Sequence, residues 1–356
     1  MKILLVKLNH IGDTLLLTPT IRCLRQHYPA AKIDVVVRRG CEAILADNPD
    51  ISRLHAFGHA DAGHRSAVSE LRDGISMLRH FAFRRYDFAF DLSASDRAKV
   101  LLLISASRIR AGNDQVYSPG WKGVVFNRLS HFNWYSQHQV LRDFRTVSDV
   151  MGISSEPGPL VLETPATLSD LRLAAPQLEL DRPWALIHPT SRWTFKQWLP
   201  ERWAAVADGL AARGLRVIFS CGPDPLEVDH VRKILQLARI PHCSTEGRLT
   251  LPQQALLTQR ASVLLCVDTL AAHIGAAMQT PTVVLFAKAK PEAWGPWRCL
   301  AVCLTGDCSC RRLGRMNCTR DQPYLCVASI PVAEVMAAAD KVLLASGSKP
   351  ATTSGG

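Results

Sequence analysis

Short apolar runs, each ending on a polar turn that leads into an amphipathic helical stretch, constrain this chain most, because that alternation builds parallel sheets. The first run, Lys2 to Leu8, reads as a buried strand. A polar loop and an amphipathic helix through about His27 follow, and a second strand covers Ile33 to Val37. Right-handed crossovers make such a βαβ unit lay its strands parallel. The rhythm predicts a strand over Arg53 to Phe57, a helix from about Ala67 to Phe83 and a strand over Asp87 to Asp91. Between about Gly112 and Gln139 the pattern breaks into what reads as a long loop region. There Trp121, Phe126, Phe132, Trp134 and Tyr135 are scattered among polar residues. A helix over Val140 to Met151 then runs into Pro157, Pro159 and Pro165, the expected linker.

Beyond the linker the alternation restarts. Strands are expected over Trp184–Ile187, Arg216–Ser220, Ser262–Val267 and Thr282–Phe286, with helices over Pro200–Arg213, Pro225–Ala238, Pro252–Arg260 and Leu270–Met278. The fold class is therefore α/β, two Rossmann-like, doubly wound parallel-sheet domains in series. A chain of 356 residues also exceeds what one hydrophobic core supports. The expected bounds are 1–160 and 161–330, then a closing helix over 331–346 that packs back on the first domain, and a disordered tail over 347–356. Ligands in such folds sit where strand carboxyl ends meet helix amino ends, here in the cleft expected between the domains.

Composition removes several classes of function. The opening apolar run stops at Lys7, far short of the ~20 residues of a membrane span, and no signal peptide is read. Eleven cysteines without a leader point to reduced thiols in a cytoplasm. The net charge of +11 is uneven: residues 1–150 hold 21 Lys and Arg against 14 Asp and Glu, a surplus of seven. A basic first domain suits an anionic partner. No arginine-rich helix or RNA-binding aromatic motif accompanies it, so nucleic acid is not the expected one.

Four turns carry the candidate chemistry. In LNHIGDTLLLTP, residues 8–19, the strand–turn–helix passage places Gly12 and Asp13 at the carboxyl edge of the sheet; an Asp there is either a helix cap or a reactive carboxylate. HPTSRWTFKQW, residues 188–198, sets Thr190, Ser191, Thr194 and Lys196 in a donor-rich loop of the composition that holds phosphate oxygens. The alternative is a polar connection in which Trp193 and Trp198 simply pack. In VDTLAAHIGAA, residues 267–277, Asp268 or Thr269 caps a helix whose first N–H groups suit a diphosphate, and His273 lies about one turn inside. CGPDPLEVD, residues 221–229, offers Asp224 or Glu227 for ribose hydroxyls. Cys299, Cys303, Cys308, Cys310, Cys318 and Cys326 contain no CxxC pair, so thiols rather than a zinc site are expected.

Together the LNHIGD opening, the HPTSRWTFKQW loop, the VDT…H helix start and the closing segment resemble glycosyltransferase family 9, the ADP-heptose lipopolysaccharide heptosyltransferases, over about residues 1–345. The wording of the second loop looks most like the branch that adds the side-branch heptose of the inner core. The resemblance implies a GT-B fold and an inverting transfer from ADP-heptose with no metal and no cofactor. Asp13 matches the family's general base, and Thr190, Ser191 and Lys196 its phosphate contacts. Asp268, Thr269 and His273 match its donor-site helix start, with Asp224 and Glu227 both open as the ribose acid. The implied acceptor is a phosphorylated lipid A–core intermediate at the inner leaflet, which makes the protein cytoplasmic and peripheral to the inner membrane. Gly12, Arg38, Arg39 and Arg97 are the candidate acceptor contacts, with Arg72, Arg84, Arg85 and Lys99 as further members of a basic patch. The irregular 112–139 region would then lie on the acceptor side. The rival readings are a relative that uses another nucleotide sugar, and a non-catalytic basic protein that docks on nucleic acid or lipid.

Overall fold

The opening run folds as β1 (Lys2–Lys7), with Ile3 to Val6 fully buried, as befits a parallel strand covered on both faces. The structure, a computed structural model, describes residues 1–58, 75, 79–82, 84–287, 289–307 and 325–347. Most of the helix expected over 67–83, together with Arg72, Cys308, Cys310, Cys318 and the tail, lies outside the described residues.

The chain divides into two units at Glu163–Thr164, inside the proline-rich stretch. In the first, β1 is followed by α1 (Ile11–Leu15) and α2 (Thr18–His27), not by one helix. Pro19 in the first turn of α2 breaks the run, and Thr18 Oγ1 donates to the Leu15 carbonyl at 2.8 Å across the break. Then come β2 (Lys32–Arg38), β3 (Arg53–Phe57), β4 (Phe88–Asp91), α3 (Asp96–Ile104), β5 (Ile109–Asn113), α4 (Pro119–Val125), β6 (Arg128–Ser130) and α5 (Gln139–Met151). All strands are parallel, in the order β3-β2-β1-β4-β5-β6.

The segment expected to be a long loop thus contains two strands and a helix. Phe126, Phe132 and Trp134 are buried, while Tyr135 is 72% exposed. Arg128 stands on β6, the edge strand of this sheet, where charge suits the edge, while Arg110 on the inner strand β5 donates to the Val125 and Ser107 carbonyls; both interrupt the apolar pattern.

The second unit contains α6 (Leu168–Ala174), β7 (Trp184–His188), α7 (Pro200–Ala211), β8 (Arg216–Phe219), α8 (Pro225–Leu237), β9 (Cys243–Ser244), α9 (Leu251–Gln259) and β10 (Val263–Val267). It closes with α10 (Leu270–Ala277), β11 (Thr282–Phe286), α11 (Pro291–Trp294), β12 (Ala301–Thr305), α12 (Leu325–Ala328) and α13 (Val332–Ala345). Its sheet is parallel too, in the order β12-β11-β10-β7-β8-β9. Gly275 lets α10 sit tight on it, since a Cβ there would meet Leu264 Cδ2 and Thr282 Oγ1 at 2.7 Å. The closing helix α13 belongs to the second unit, not the first as expected. Val335, Ala338, Ala339, Val342 and Leu343 bury into the core over β10 and β11 of the second, because its apolar stripe matches that sheet face.

Both sheets reverse strand order next to their first strand, between β1 and β4 and between β7 and β10. At such a switch point neighbouring connections leave on opposite faces and open a crevice at the strand carboxyl ends.

Candidate active site

In the first unit the turn after β1 sits at the switch point. Asp13 is the third residue of α1 rather than its cap; that position falls to His10, whose N–H donates to Asp13 Oδ2 at 3.1 Å. Gly12 precedes it in the same turn, and the Asp13 side chain is half-buried. Arg38 Nη1 comes within 3.4 Å of His10 Nδ1. Arg39 and Arg97 meet at Gly58: Arg39 Nε donates to its carbonyl at 2.9 Å, and a Cβ on it would lie 3.4 Å from Arg97 Nη1. Three of the expected basic residues therefore gather at strand carboxyl ends.

Arg84, Arg85 and Lys99 do not join them. Arg84 and Arg85 precede β4, at the amino edge of the sheet. Lys99 is buried, bonded to Asp96 at 2.7 Å and lying over the Tyr117 ring, because α3 turns that face inward.

Sequence reasoning missed what lies under this turn. Lys7 ends β1 and is buried against Asp143 of α5, its Nζ 2.8 and 2.7 Å from the two carboxylate oxygens. Burial pushes the Asp143 carboxyl up to about 6; the Lys7 cation opposes the rise and the Asp13 charge adds to it. Asp91, at the end of β4, is also pushed up to about 6 by burial, against the Ser93 and Ala94 N–H groups that bond its Oδ1 at 2.8 and 3.0 Å. A lysine closing an apolar strand, and an acid on the apolar face of an amphipathic helix, were the available signals.

In the second unit, the loop after β7 lies beside the turn after β10. Lys196, in a short 3₁₀ turn, sends Nζ to Asp268 Oδ2 at 2.6 Å and to the Asp268 carbonyl at 3.4 Å. Thr269 stands at the N-cap of α10 without a side-chain cap bond, and Asp268 is drawn to Lys196. Neither side chain caps the helix as expected, which leaves its first-turn N–H groups facing the strand ends. His273 is buried in the first turn and a half of α10.

Thr190 is fully buried and donates to Glu227 Oε2 at 2.5 Å; the same oxygen accepts from Gly222 N–H at 2.9 Å. Asp224 instead caps α8, its Oδ1 accepting from Leu226 N–H at 2.9 Å. Gly247 supports the Glu227 turn: its φ of +70° is left-handed, and a Cβ there would stand 2.5 Å from the Gly222 carbonyl. His188, bonded to Ser220 Oγ at 3.0 Å, is held below its usual pKa by burial, with the Glu227 charge opposing.

Ser191 is buried, its Oγ accepting from Trp193 N–H at 3.3 Å. Trp198 packs edge-on against Trp203, whereas Trp193 is half-exposed and stacks on Phe195. Among the described residues no group of three or more His, Cys, Asp or Glu is arranged to hold a metal ion. Burial raises the Cys299 and Cys303 thiols to about 12 and 11, so both stay protonated near neutrality.

The sequence model of glycosyltransferase family 9 (heptosyltransferase) matches residues 75–322. Lipopolysaccharide heptosyltransferase 3 of Escherichia coli is 29% identical over 97% of this chain and 98% of its own. Among solved structures, the family 9 glycosyl transferase of Veillonella parvula superposes with a TM-score of 0.81 at 20% identity, over 97% of each chain. Escherichia coli ADP-heptose lipopolysaccharide heptosyltransferase II does so with a TM-score of 0.75 at 19% identity, over 98% of this chain and 100% of the other. These two likenesses agree with the paired six-stranded parallel sheets of a GT-B fold.

Proposed function

The chain belongs to glycosyltransferase family 9, and from that membership we propose that it transfers L-glycero-D-manno-heptose from ADP-heptose to the lipopolysaccharide inner core. The reaction is an inverting displacement, and the pair that carries the reading is Lys196–Asp268 at the switch point of the second sheet. Asp13 accepts the proton of an acceptor hydroxyl as its oxygen bonds to the anomeric carbon. The bond from that carbon to the diphosphate breaks, and ADP departs with the electron pair.

A carboxylate in that role contributes roughly 10²- to 10⁴-fold. Lys196 and the α10 N–H groups take up charge on the departing diphosphate, the role a metal fills in other transferases. Ser191 lines the phosphate side. Thr190 acts through Glu227, orienting that carboxylate for the ribose hydroxyls, while Asp224 is a helix cap. Asp268, bonded to Lys196, holds the ammonium until donor arrives.

The acceptor is a phosphorylated lipid A–core intermediate, met by Arg38, Arg39 and Arg97 beside Gly12 and Asp13. Among the described residues no helix is long and apolar enough to cross a membrane. The net positive charge of the first unit supports work at the inner face of the inner membrane through peripheral contact. Incubation with ADP-heptose and truncated core acceptors, followed by mass spectrometry of the products, tests the reading. Acceptors that gain no heptose mass, under conditions where a characterised relative transfers, would sink it. Equal rates on phosphorylated and dephosphorylated acceptor would remove the electrostatic part alone.

A further inference from the structure

Beneath the turn that carries Asp13, the Lys7–Asp143 pair has no task in the reaction as described. Its side chains are 1% and 0% exposed. Desolvating two charges costs about as much as their attraction returns, so apolar residues of the same volume would serve the fold equally well. The pair's position is more telling. Lys7 Nζ also donates to the Leu92 carbonyl at 3.1 Å, and Gln139 Nε2 donates to Asp143 at 3.0 Å, so one ammonium joins β1, the loop after β4 and α5. The next residue, Leu8, gives its N–H to Ser93 Oγ at 2.6 Å, and that hydroxyl donates to the Val6 carbonyl at 3.0 Å. The turn bearing Asp13 springs from this floor.

Charge links the same groups. The fields of Asp13, Lys7 and Asp143 overlap, and Arg142 on α5 feels both carboxylates. Cys41, after β2, faces Asp13 with Arg38 nearby, and Tyr117, after β5, faces Asp143 and Asp91. Within this set Asp143 is the counter-charge that touches Lys7.

We propose that Asp143, acting through Lys7, is a positioning residue for the transfer: the pair fixes the turn that carries Asp13 and keeps an uncompensated cation from facing it. The proposal rests on Asp13 as the base. In the full-length enzyme, Asp143→Asn should leave KM for ADP-heptose within about twofold and lower kcat about tenfold or more. It should also move the ascending limb of kcat/KM against pH to lower pH by about half a unit or more, because Lys7 is left uncompensated. A purely structural role would not move the limb, and an unmoved limb overturns the proposal.

Should Asp143→Asn fail to fold, Lys7→Met/Asp143→Leu replaces the pair with apolar volume that the fold accommodates. That double variant should lose about tenfold or more in kcat with the limb in its wild-type place, and kcat within about threefold of wild type overturns the proposal. Asp13→Asn separates the two readings. If it keeps transfer within about tenfold, the base assignment fails and the proposal falls with it. If it is inactive while the Asp143→Asn limb stays put, the pair alone is refuted.

Discussion

Replacing Lys196 by Met keeps the length of the stem and removes only the ammonium, so it isolates the charge at the second switch point. Two effects compete. In the resting protein the variant strands the Asp268 carboxylate, whose side chain is 10% exposed, against 22% for Lys196. A pair that is partly wet is worth about 1 kcal/mol, and a stranded acceptor costs up to about 3 kcal/mol. For a unit of this size that lowers Tm by roughly 2–4 °C per kcal/mol, a loss the fold survives. In the proposed transfer, the ammonium meets the developing charge of the diphosphate where water is excluded. Removing one such donor costs about 2.7–4 kcal/mol, which is 10²- to 10³-fold in kcat. The kinetic effect should therefore dominate. ADP release followed by a coupled assay, with kcat and KM fitted separately and Tm by calorimetry, measures both. A Lys196→Met enzyme within about fivefold of wild-type kcat would mean that the ammonium does not face the leaving group. Lys196→Arg should not rescue it, because the planar fork cannot keep both Asp268 contacts, 2.6 and 3.4 Å, from the same point.

Asp13→Ala should lose roughly 10²- to 10⁴-fold in transfer while calorimetric affinity for ADP-heptose stays unchanged; a parallel loss of donor affinity would contradict its assignment to the acceptor side. Glu227→Gln should weaken donor binding, whereas Asp224→Ala should cost about 1 kcal/mol of stability with donor affinity intact, and the opposite pattern would exchange their roles. Gly247→Ala should lower Tm, since its left-handed backbone and the 2.5 Å approach to Gly222 leave no room for a methyl group; an unchanged Tm would refute that packing. Asp91 bears on pH dependence. Its carboxyl rises from 3.8 to about 6 in the fold, so the native state holds the proton longer than the unfolded chain. Stability therefore falls as pH rises through about 4 to 6, by something on the order of 3 kcal/mol. Asp91→Asn removes that titration, so its Tm relative to wild type should climb across this window, and a flat difference would refute the burial argument.

The parts of this fold that could be read from sequence are those where one physical requirement acts alone. β1, β2, β7 and β10 are covered on both faces, so apolar residues dominate them and the runs stand out, with Lys7 and Asp34 as buried exceptions. The polar turns after β1, β7, β8 and β10 are legible for the converse reason: unpaired backbone groups at strand ends select Gly, Asp, Thr and Ser. Where two requirements overlap, the signal cancels. β6 must pair and also face water at an edge, so Arg128 interrupts its pattern, and Arg110 on β5 is there for the Val125 and Ser107 carbonyls it bonds. α4 carries Gly120 and Gly123, which read as loop although no neighbour lies within 4 Å of a Cβ at either. In the sequence Lys7 reads only as the end of the apolar run, since a single lysine after four apolar residues looks the same whether it snorkels to water or meets a carboxylate 136 positions away. Only the third dimension tells those cases apart. The distinction has a functional consequence, because Lys7 lies directly under the turn that bears Asp13. The residues proposed to do the chemistry are written in local motifs, whereas those proposed to hold it in place are paired across the sheet and leave no motif.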